Sequence, residues 1–289
     1  MRCNVCGREV VADPGRPMTK DGFELVRCGS CGLLFRSTLP RREEVGSLYS
    51  AEYFRDHEGA TGGYADYIGD EQLHRSLASR RLASLERWTS GRRLLDVGAA
   101  AGFFVSEAIE RGWEAGGVDI SPAMVEFAAR RGVPVALGDL AAVEAAPFDV
   151  VTMWDYIEHS VDPSEDVRRA AGLLRPGGVI ALSTGDVESV VARMSGRHWH
   201  LLTPRHHNFF FGASTIRRLL ESHGFAVLEA SHPGARYSIP HVVHKLGATG
   251  RGRLGSRIAA RIDRSRLGRL SLPVNLFDIV TVFARRRVA

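Results

Sequence analysis

The 289-residue sequence lacks the features that direct a protein out of the cytoplasm or into a membrane. It has no uninterrupted apolar run near the roughly 18 residues that a membrane-spanning helix requires. Its first ten residues, MRCNVCGREV, contain no apolar segment typical of a secretory leader. The remaining composition is that of a globular chain, with 44% hydrophobic and 25% charged residues. These absences predict a cytoplasmic protein that is neither secreted nor integral to a membrane.

Lysine is nearly absent, since Lys20 and Lys245 are the only two among 38 cationic residues. The net charge of +5 alone does not indicate a class of partner, but the distribution of the charges along the chain is informative. Nine cations and one anion lie between Pro233 and Leu270, which gives this segment a net charge of +8 and leaves −3 for the other residues. We therefore expect any anionic partner to bind this late segment.

No cysteine follows residue 31, and the four that occur form two CxxC pairs. Cys3 and Cys6 are separated from Cys28 and Cys31 by 21 residues, and a glycine follows each pair. Glycine permits the left-handed residue that ends a metal-binding turn, and two such turns supply the four thiolates of a tetrahedral zinc site. A redox dithiol, the alternative, occurs as a single pair beside a βαβ unit. Residues 1–40 are therefore predicted to form a zinc ribbon whose closed coordination excludes catalysis by the metal.

From residue 91 onward, short apolar runs alternate with helical patterns. This alternation predicts a doubly wound α/β fold with a mostly parallel sheet covered by helices. The predicted strands are Leu94–Val97, Glu114–Asp119, Val133–Leu137, Phe148–Trp154, Val179–Ser183, Phe225–Ala230 and Asp278–Ala284. The predicted helices are Phe103–Arg111, Ala123–Arg131, Pro163–Leu174 and Thr215–His223. Residues 41–90 are assigned to a linker and a capping helix, and residues 91–289 to the α/β domain. Tyr64 and Tyr67 of the linker are candidate lid aromatics.

Three predicted strands end in residues suited to a nucleoside ligand. The first enters the small-residue turn Asp96-Val-Gly98-Ala-Ala-Ala-Gly102, which lets a ligand approach the backbone at a helix N-terminus. Asp119 ends the second strand, where a carboxylate accepts both hydroxyls of a ribose. Asp139 follows the third strand and suits an adenine amino group. The sequence therefore predicts a nucleoside site at one sheet edge, formed by Asp96, Gly98, Ala99, Gly102, Asp119, Ile120, Asp139, Leu140 and Trp154.

From Arg92 to the C-terminus the chain resembles the class I S-adenosylmethionine-dependent methyltransferases. The turn D-V-G-A-A-A-G is similar to their first motif, with Ala100 in place of the usual glycine. Residues 148–163 and 173–183 are similar to their fourth-strand and fifth-strand segments. The resemblance implies a seven-stranded Rossmann-like sheet and S-adenosylmethionine as methyl donor. A nicotinamide dehydrogenase is the structural alternative and would have a more glycine-rich turn.

The two CxxC pairs narrow the resemblance to bacterial methyltransferases of natural-product, deoxysugar and polysaccharide pathways. In the zinc-carrying sugar C-methyltransferases a histidine followed by aromatics is the general base, which implies this role for His206, ahead of Phe209. His159 is a second candidate base, since imidazole suits proton removal at neutral pH. The tyrosine and glutamate that accompany the base in those sugar enzymes have no match here. We therefore expect an oxygen acceptor on a small or carrier-linked metabolite.

Asp155, Glu158 and His159 offer a second interpretation of the same region. Together with a later histidine, these residues resemble a metal-binding pattern, E-x-x-E-H followed by a further histidine. Small-RNA 2′-O-methyltransferases and ubiquinone-pathway O-methyltransferases hold a divalent cation with this pattern. Such a cation, for example Mg²⁺, binds vicinal oxygens and lowers the pKa of a hydroxyl. The sequence leaves a histidine base and a catalytic cation as alternatives.

The basic segment falls between the last two predicted strands. These strands are neighbours joined by a hairpin in methyltransferases, so residues 231–277 are expected to form an inserted lid. Leu254, Ile258 and Ile262 recur every four residues beside arginines, which predicts a basic amphipathic helix within 251–269. This helix is either a lid or dimer contact with a solvated arginine face, or a site for an anionic acceptor or an anionic membrane surface.

An RNA-modifying methyltransferase is the alternative function, with the ribbon and Arg253–Arg269 holding phosphates. The ribbon is not notably basic, and the N/D-P-P-Y/F pattern of base-amino methylation does not occur in the D-x-x-E-H segment. Both observations disfavour a nucleic-acid partner. A non-catalytic binding module is disfavoured because Asp96, Asp119 and Asp139 are all retained.

Overall fold

The computed structural model describes residues 1–10, 18–41, 44–45, 54, 66–144, 147–238 and 271–288. For residues 235–238 and 271–274 the description covers the backbone only. Tyr64 and the basic amphipathic helix predicted within 251–269 lie outside the described residues. None of the described helices combines the length and apolar character needed to cross a bilayer.

A seven-stranded sheet with helices packed against it forms the centre of the molecule, as the sequence predicts. Its strands are β4 (Arg93–Val97), β5 (Glu114–Asp119), β6 (Val135–Leu137), β7 (Phe148–Trp154), β8 (Leu174–Gly185), β10 (Phe225–Ser231) and β13 (Ile279–Arg286). The spatial order is β10-β13-β8-β7-β4-β5-β6, and β13 runs antiparallel to both of its neighbours. The winding direction reverses between β4 and β7, and a reversal of this kind opens a ligand crevice at the carboxyl ends of the strands.

Five of the six described helices are predicted from the sequence, and the fifth along the chain is not. They are α1 (Glu71–Leu85), α2 (Phe103–Glu110), α3 (Pro122–Arg130), α4 (Pro163–Leu173), α5 (Val190–Ser195) and α6 (Ala213–Ser222). α3 and α4 both begin with proline, which fits the first turn because its missing N–H has no partner there. Asp162 completes the start of α4 by accepting the N–H of Glu165. Between these helices, β4 and β7 are buried along almost their whole length, as expected for parallel strands covered on both faces.

The cysteine module, residues 1–40, contributes three short strands to a second sheet. These are β1 (Met18–Lys20), β2 (Phe23–Arg27) and β3 (Leu34–Arg36), and the fourth strand is β9 (Phe209–Phe210) from the later part of the chain. The module also shares a hydrophobic core with the large sheet, and this core includes Phe35, Ile157 and Phe209. The domain boundaries at residues 40 and 90 stay predictions, but the two units are joined by a common sheet and a common core.

The predicted insertion begins and ends in a short antiparallel ladder. β11 (Ala235–Ser238) pairs with β12 (Ser271–Val274), from Ala235 opposite Val274 to Ser238 opposite Ser271. The strands on either side, β10 and β13, are neighbours, as the sequence predicts. The ladder thus brings together the two ends of the segment that carries the concentrated positive charge.

Candidate functional site

The turn after β4 contains three residues in left-handed conformations and packs closely against the residues around it. Gly98, Ala100 and Gly102 all have left-handed backbone angles, with φ values of 74°, 46° and 75°. A Cβ atom on Gly98 would lie 2.8 Å from the ring of Tyr156, so a larger residue is excluded there. Ala100 adopts the left-handed conformation although it carries a Cβ, and its N–H donates to Asp119 at 2.8 Å. That hydrogen bond compensates for the strain where related turns have glycine.

Asp119 lies at the end of β5, where the sequence places the ribose-binding acid. Its second carboxylate oxygen accepts the N–H of Ser121 at 2.8 Å. Burial raises the pKa of Asp119, and the hydrogen bonds from Ser121 and Ala100 oppose that rise. Each oxygen retains a further lone pair, so the carboxylate can accept ligand hydroxyls without releasing the turn.

Asp96 and Asp139 lie beside the same edge in different environments. Asp96 is buried at the end of β4 and accepts a 2.6 Å hydrogen bond from Thr152, and burial raises its pKa to about 7. Asp139 is half-buried and accepts the N–H of Ala141 at the start of a short 3₁₀ turn that buries Leu140. Asp96, Asp119 and Asp139 therefore lie along the carboxyl ends of three adjacent strands, and Trp154 ends β7 on the other side of β4.

Aromatic side chains cover this edge. Tyr67, one of the two predicted lid aromatics, stacks on Phe103 with 5.7 Å between ring centroids. Burial raises the pKa of Tyr67, and the charges of Asp119 and Asp96 add to that rise. His74 of α1 lies 4.2 Å from the Tyr67 ring, and burial lowers its pKa to about 4. The sequence pattern did not single out His74.

Arg81 of α1 is a second residue that sequence reasoning missed. Its guanidinium donates to Asp155 at 2.9 Å and to Ser183 at 2.9 Å, and its Cζ atom lies 4.4 Å from the centroid of Trp154. Burial opposes ionisation of Asp155, but the charge of Arg81 holds the pKa of that carboxyl below its usual value. Asp155 is therefore held as a carboxylate by an ion pair at the end of β7.

Glu158, His159 and His207 form a compact group, here called the Glu-His-His cluster. One potential ligand atom from each lies within 4.8 Å of the others. Glu158 is only 5% exposed, and within the described part of the chain its Oε2 atom has no hydrogen-bond partner. Burial raises the pKa of Glu158 to about 8, and the charge of Asp155 adds to that rise. An unsatisfied buried carboxylate oxygen is costly unless something binds it.

Backbone carbonyls fix the tautomers of both histidines. His159 Nδ1 lies 3.0 Å from the carbonyl oxygen of His206, and His207 Nδ1 lies 3.1 Å from that of Leu201. A carbonyl only accepts hydrogen bonds, so each ring carries its proton on Nδ1 and keeps a lone pair on Nε2. Burial lowers the pKa of His159 to about 4 and that of His207 well below its ordinary value. Both rings are therefore neutral at pH 7, the form that binds metal ions.

The structure differs from the sequence interpretation in two members of this group. The sequence favours His206, but the adjacent His207 contributes its ring to the cluster, while His206 supplies a backbone carbonyl. Asp155 is the other difference, because its partners are Arg81 and Ser183. The backbone N–H groups of His206 and His207 both donate to the backbone carbonyl of Thr203 in one tight turn. Sequence alone does not reveal which of the two rings faces the cluster. The catalytic roles assigned to His206 and His159 stay predictions.

The four cysteines lie close together as predicted, and all are free thiols. Their sulfurs lie within 4.8 Å of one another, with 3.5 Å between Cys3 and Cys31 and 3.6 Å between Cys6 and Cys28. Zinc–sulfur bonds of about 2.3 Å put the sulfurs of a tetrahedral site about 3.8 Å apart. Burial raises the pKa of Cys3 and Cys31, whereas at Cys28 the backbone N–H groups of Cys31 and Ser30 outweigh burial and lower the pKa to about 7. The geometry and chemistry of the four sulfurs fit a tetrahedral metal.

The profile of a methyltransferase-domain family matches residues 70–230, which is more than half of the chain. The chain belongs to this methyltransferase family. The matched range runs from α1 to β10 and includes the nucleoside edge and the Glu-His-His cluster. It excludes the cysteine module.

Curated relatives and solved structures are similar to parts of this methyltransferase. A ubiquinone biosynthesis O-methyltransferase of Xanthomonas axonopodis pv. citri is 36% identical over 33% of this chain and 44% of its own length. That of Xylella fastidiosa is 33% identical over 43% of this chain and 55% of its own. The chain thus spans about half the length of the curated relatives it matches.

The structural matches show the fold. A Thermotoga maritima methyltransferase described as a possible histamine N-methyltransferase aligns with a TM-score of 0.51 and 18% identity, covering 81% of this chain and all of that one. Magnesium protoporphyrin IX methyltransferase of Synechocystis, with bound S-adenosylmethionine, aligns with a TM-score of 0.50 and 16% identity, covering 86% of this chain and 99% of that one.

Proposed function

We propose that this methyltransferase transfers a methyl group from S-adenosylmethionine to a hydroxyl oxygen of a small or carrier-linked metabolite. The observation that carries the proposal is a Glu-His-His cluster next to a nucleoside-type sheet edge. Asp155 links the two, because its partner Arg81 lies against Trp154 at the edge and Asp155 itself precedes Glu158 of the cluster by three residues. The names of the O-methyltransferase relatives support oxygen as the acceptor atom.

The nucleoside edge would hold the donor. Asp119 would accept the ribose hydroxyls, and Leu140 and the segment after Asp139 would contact the adenine. The small residues of the turn at Gly98 would let the donor approach the backbone, and Tyr67 and Trp154 would exclude water from it. When bound, S-adenosylmethionine supplies a methyl group already activated by its sulfonium. The remaining task of the protein is to align an acceptor oxygen and to remove its proton.

The Glu-His-His cluster would serve this second task by holding a divalent cation. Glu158 would lose its proton when the cation binds and contribute its unsatisfied oxygen, and His159 and His207 would contribute their Nε2 lone pairs. One carboxylate with two imidazoles favours a transition ion such as Mn²⁺ or Zn²⁺ over Mg²⁺, which prefers oxygen ligands. When bound, the cation would lower the pKa of an acceptor hydroxyl.

A base without a cation is the weaker interpretation. Burial lowers the pKa of His159 to about 4, so its ring takes few protons from an ordinary hydroxyl. A cation on vicinal oxygens would lower the pKa of the hydroxyl itself, so that its proton passes to bulk water and neither histidine has to accept it. The cysteine module would hold a separate zinc ion through Cys3, Cys6, Cys28 and Cys31. With four thiolate ligands, that ion stabilises the fold and has no open position for chemistry.

Methyl transfer from labelled S-adenosylmethionine to catechol, a simple vicinal diol, tests the proposal in the presence of Mn²⁺. Glu158→Gln and His207→Gln should each lower the rate about 100-fold or more, because each removes a cation ligand. His206→Gln separates this proposal from the histidine-base alternative, since it removes the candidate base His206 and leaves the cluster intact; under the cation proposal it keeps the wild-type rate. Label on nitrogen or carbon when suitable acceptors are offered, or wild-type rates in both cluster variants, would refute the proposal.

A further inference from the structure

The two-residue strand β9 joins the Glu-His-His cluster to the cysteine module. It begins two residues after His207 and pairs antiparallel with β3, Phe209 opposite Phe35 and Phe210 opposite Leu34. The rings of Phe35 and Phe209 stack with 6.0 Å between centroids. The loop that carries a cluster histidine is therefore held at one end by the module.

Asn208, between His207 and β9, uses every polar group it has in this junction. It is 3% exposed, and its N–H donates to the carbonyl of Glu158 at 2.8 Å. Its side-chain NH₂ donates to the carbonyls of His159 and Ser160, at 3.0 and 3.2 Å. Asn208 thus contacts the backbone of two cluster members and is the chain neighbour of the third.

Arg36 of β3 holds Asn208 from the module side. Its N–H donates to the Asn208 carbonyl at 2.9 Å, and its Nη1 donates to Asn208 Oδ1 at 3.1 Å. A guanidinium is only a donor, so it sets which end of the amide faces it. The NH₂ end must then face the carbonyls of His159 and Ser160. Phe23 of β2 holds the guanidinium in place, with 4.4 Å from Cζ to the ring centroid.

We propose that Arg36 and Asn208 are positioning residues, through which the cysteine module sets the geometry of the Glu-His-His cluster. Arg36 orients the Asn208 amide, and Asn208 holds the backbone of Glu158 and His159 in register with His207. The inference rests on the function proposed for the cluster. Residues that orient metal ligands in this way change metal affinity by about 10- to 100-fold when they are removed.

The test compares Arg36→Met with Arg27→Met in the full-length, zinc-loaded protein. The first variant keeps the aliphatic stem beside Phe23 and removes the donors to Asn208. The second removes a matched module arginine whose Nη1 donates to Gly32 within the module. Two readouts are used: Mn²⁺ affinity by calorimetry, and the ring tautomers of His159 and His207 by long-range ¹H–¹⁵N correlation, assigned with single histidine variants.

Arg36→Met should weaken Mn²⁺ binding about tenfold or more and disturb the Nδ1–H tautomer signals of both rings, while Arg27→Met leaves both unchanged. Arg36→Lys keeps a charged donor and should recover most of the affinity. Equal behaviour of Arg36→Met and Arg27→Met, or equal loss in Arg36→Met and Arg36→Lys, would overturn the positioning role. If the wild-type protein binds no Mn²⁺, the cation proposal fails, and the tautomer signals alone decide the inference.

Discussion

At the scale of single residues, the carboxylate of Asp119 has one observed task and one proposed task. It holds the turn through Ala100 and Ser121, and it is placed to accept ligand hydroxyls. Asp119→Ala should weaken S-adenosylmethionine binding by about 2 kcal/mol or more, because charge-assisted hydrogen bonds are lost. Calorimetry measures the effect, with the exposed Asp21→Ala as control. Unchanged affinity in Asp119→Ala would mean that the donor binds elsewhere.

His74 should make the stability of the protein depend on pH. Burial lowers its pKa from 6.5 to about 4, so the unfolded chain takes up a proton on this group before the folded protein does. The contribution of His74 to stability is therefore complete above pH 6.5 and is lost as the pH falls towards 4. His74→Gln should reduce this acid loss by about 2 kcal/mol. Denaturant unfolding at pH 7 and pH 4.5 measures it.

The exposed His198 provides the control for this experiment. His198→Gln should follow the wild-type pH dependence. If His74→Gln lost as much stability on acidification as His198→Gln, the burial of His74 would not be the cause.

The sequence predicts site residues that directly follow a strand better than site residues contributed by a distant part of the chain. Asp96, Gly98 and Asp119 lie where the ends of parallel strands must meet, so their spacing was sufficient to place them. Arg81 lies on a helix 74 positions before its partner Asp155, and no local pattern connects them. Whether His206 or His207 contributes its ring to the cluster depends on the path of one turn. The sequence does not reveal that path, because the two adjacent residues are both histidines.

At the scale of elements, the two cysteine turns should depend on their metal. The wild-type protein should carry one zinc ion per chain by native mass spectrometry. Cys28→Ser should lose it and unfold at a lower temperature, because the binding free energy of the ion contributes to folding. Ser30→Ala changes an exposed side chain of the same turn and should retain zinc. A wild-type protein that holds no metal when freshly purified would contradict this prediction.

Two elements show where the sequence pattern is insufficient. β8 begins at Leu174, directly after α4, whereas the sequence predicts its start at Val179. Pro176, Gly177 and Gly178 indicate a turn, yet the strand passes through them with an irregular register opposite Phe148 and Val150. β9 is two residues long, and its partner lies more than 170 residues earlier in the chain. Phe209, Phe210 and the following Phe211 are three successive phenylalanines, a pattern that indicates burial but not a strand.

At the scale of the whole molecule, the cysteine module and the large sheet should fold as one unit. They share a core that includes Val26, Leu33, Phe209 and Phe211. A chain starting at residue 41 would expose this surface, so we expect it to be poorly soluble or to unfold at least about 10 °C below the full chain. Circular dichroism and solubility measure the effect. A truncated protein with wild-type stability and donor affinity would contradict it.

The pairing of β3 with β9 also constrains the timing of synthesis. β3 leaves the ribosome about 170 residues before its partner, which at 5–20 residues per second is a delay of roughly 10 to 30 s. During that interval its outer edge has unpaired backbone groups, a feature that promotes association between nascent chains. Early capture of a metal by the cysteines would hold β2 and β3 together over this period. Zinc supply during translation, rather than after release, should therefore govern the yield of folded protein in cells.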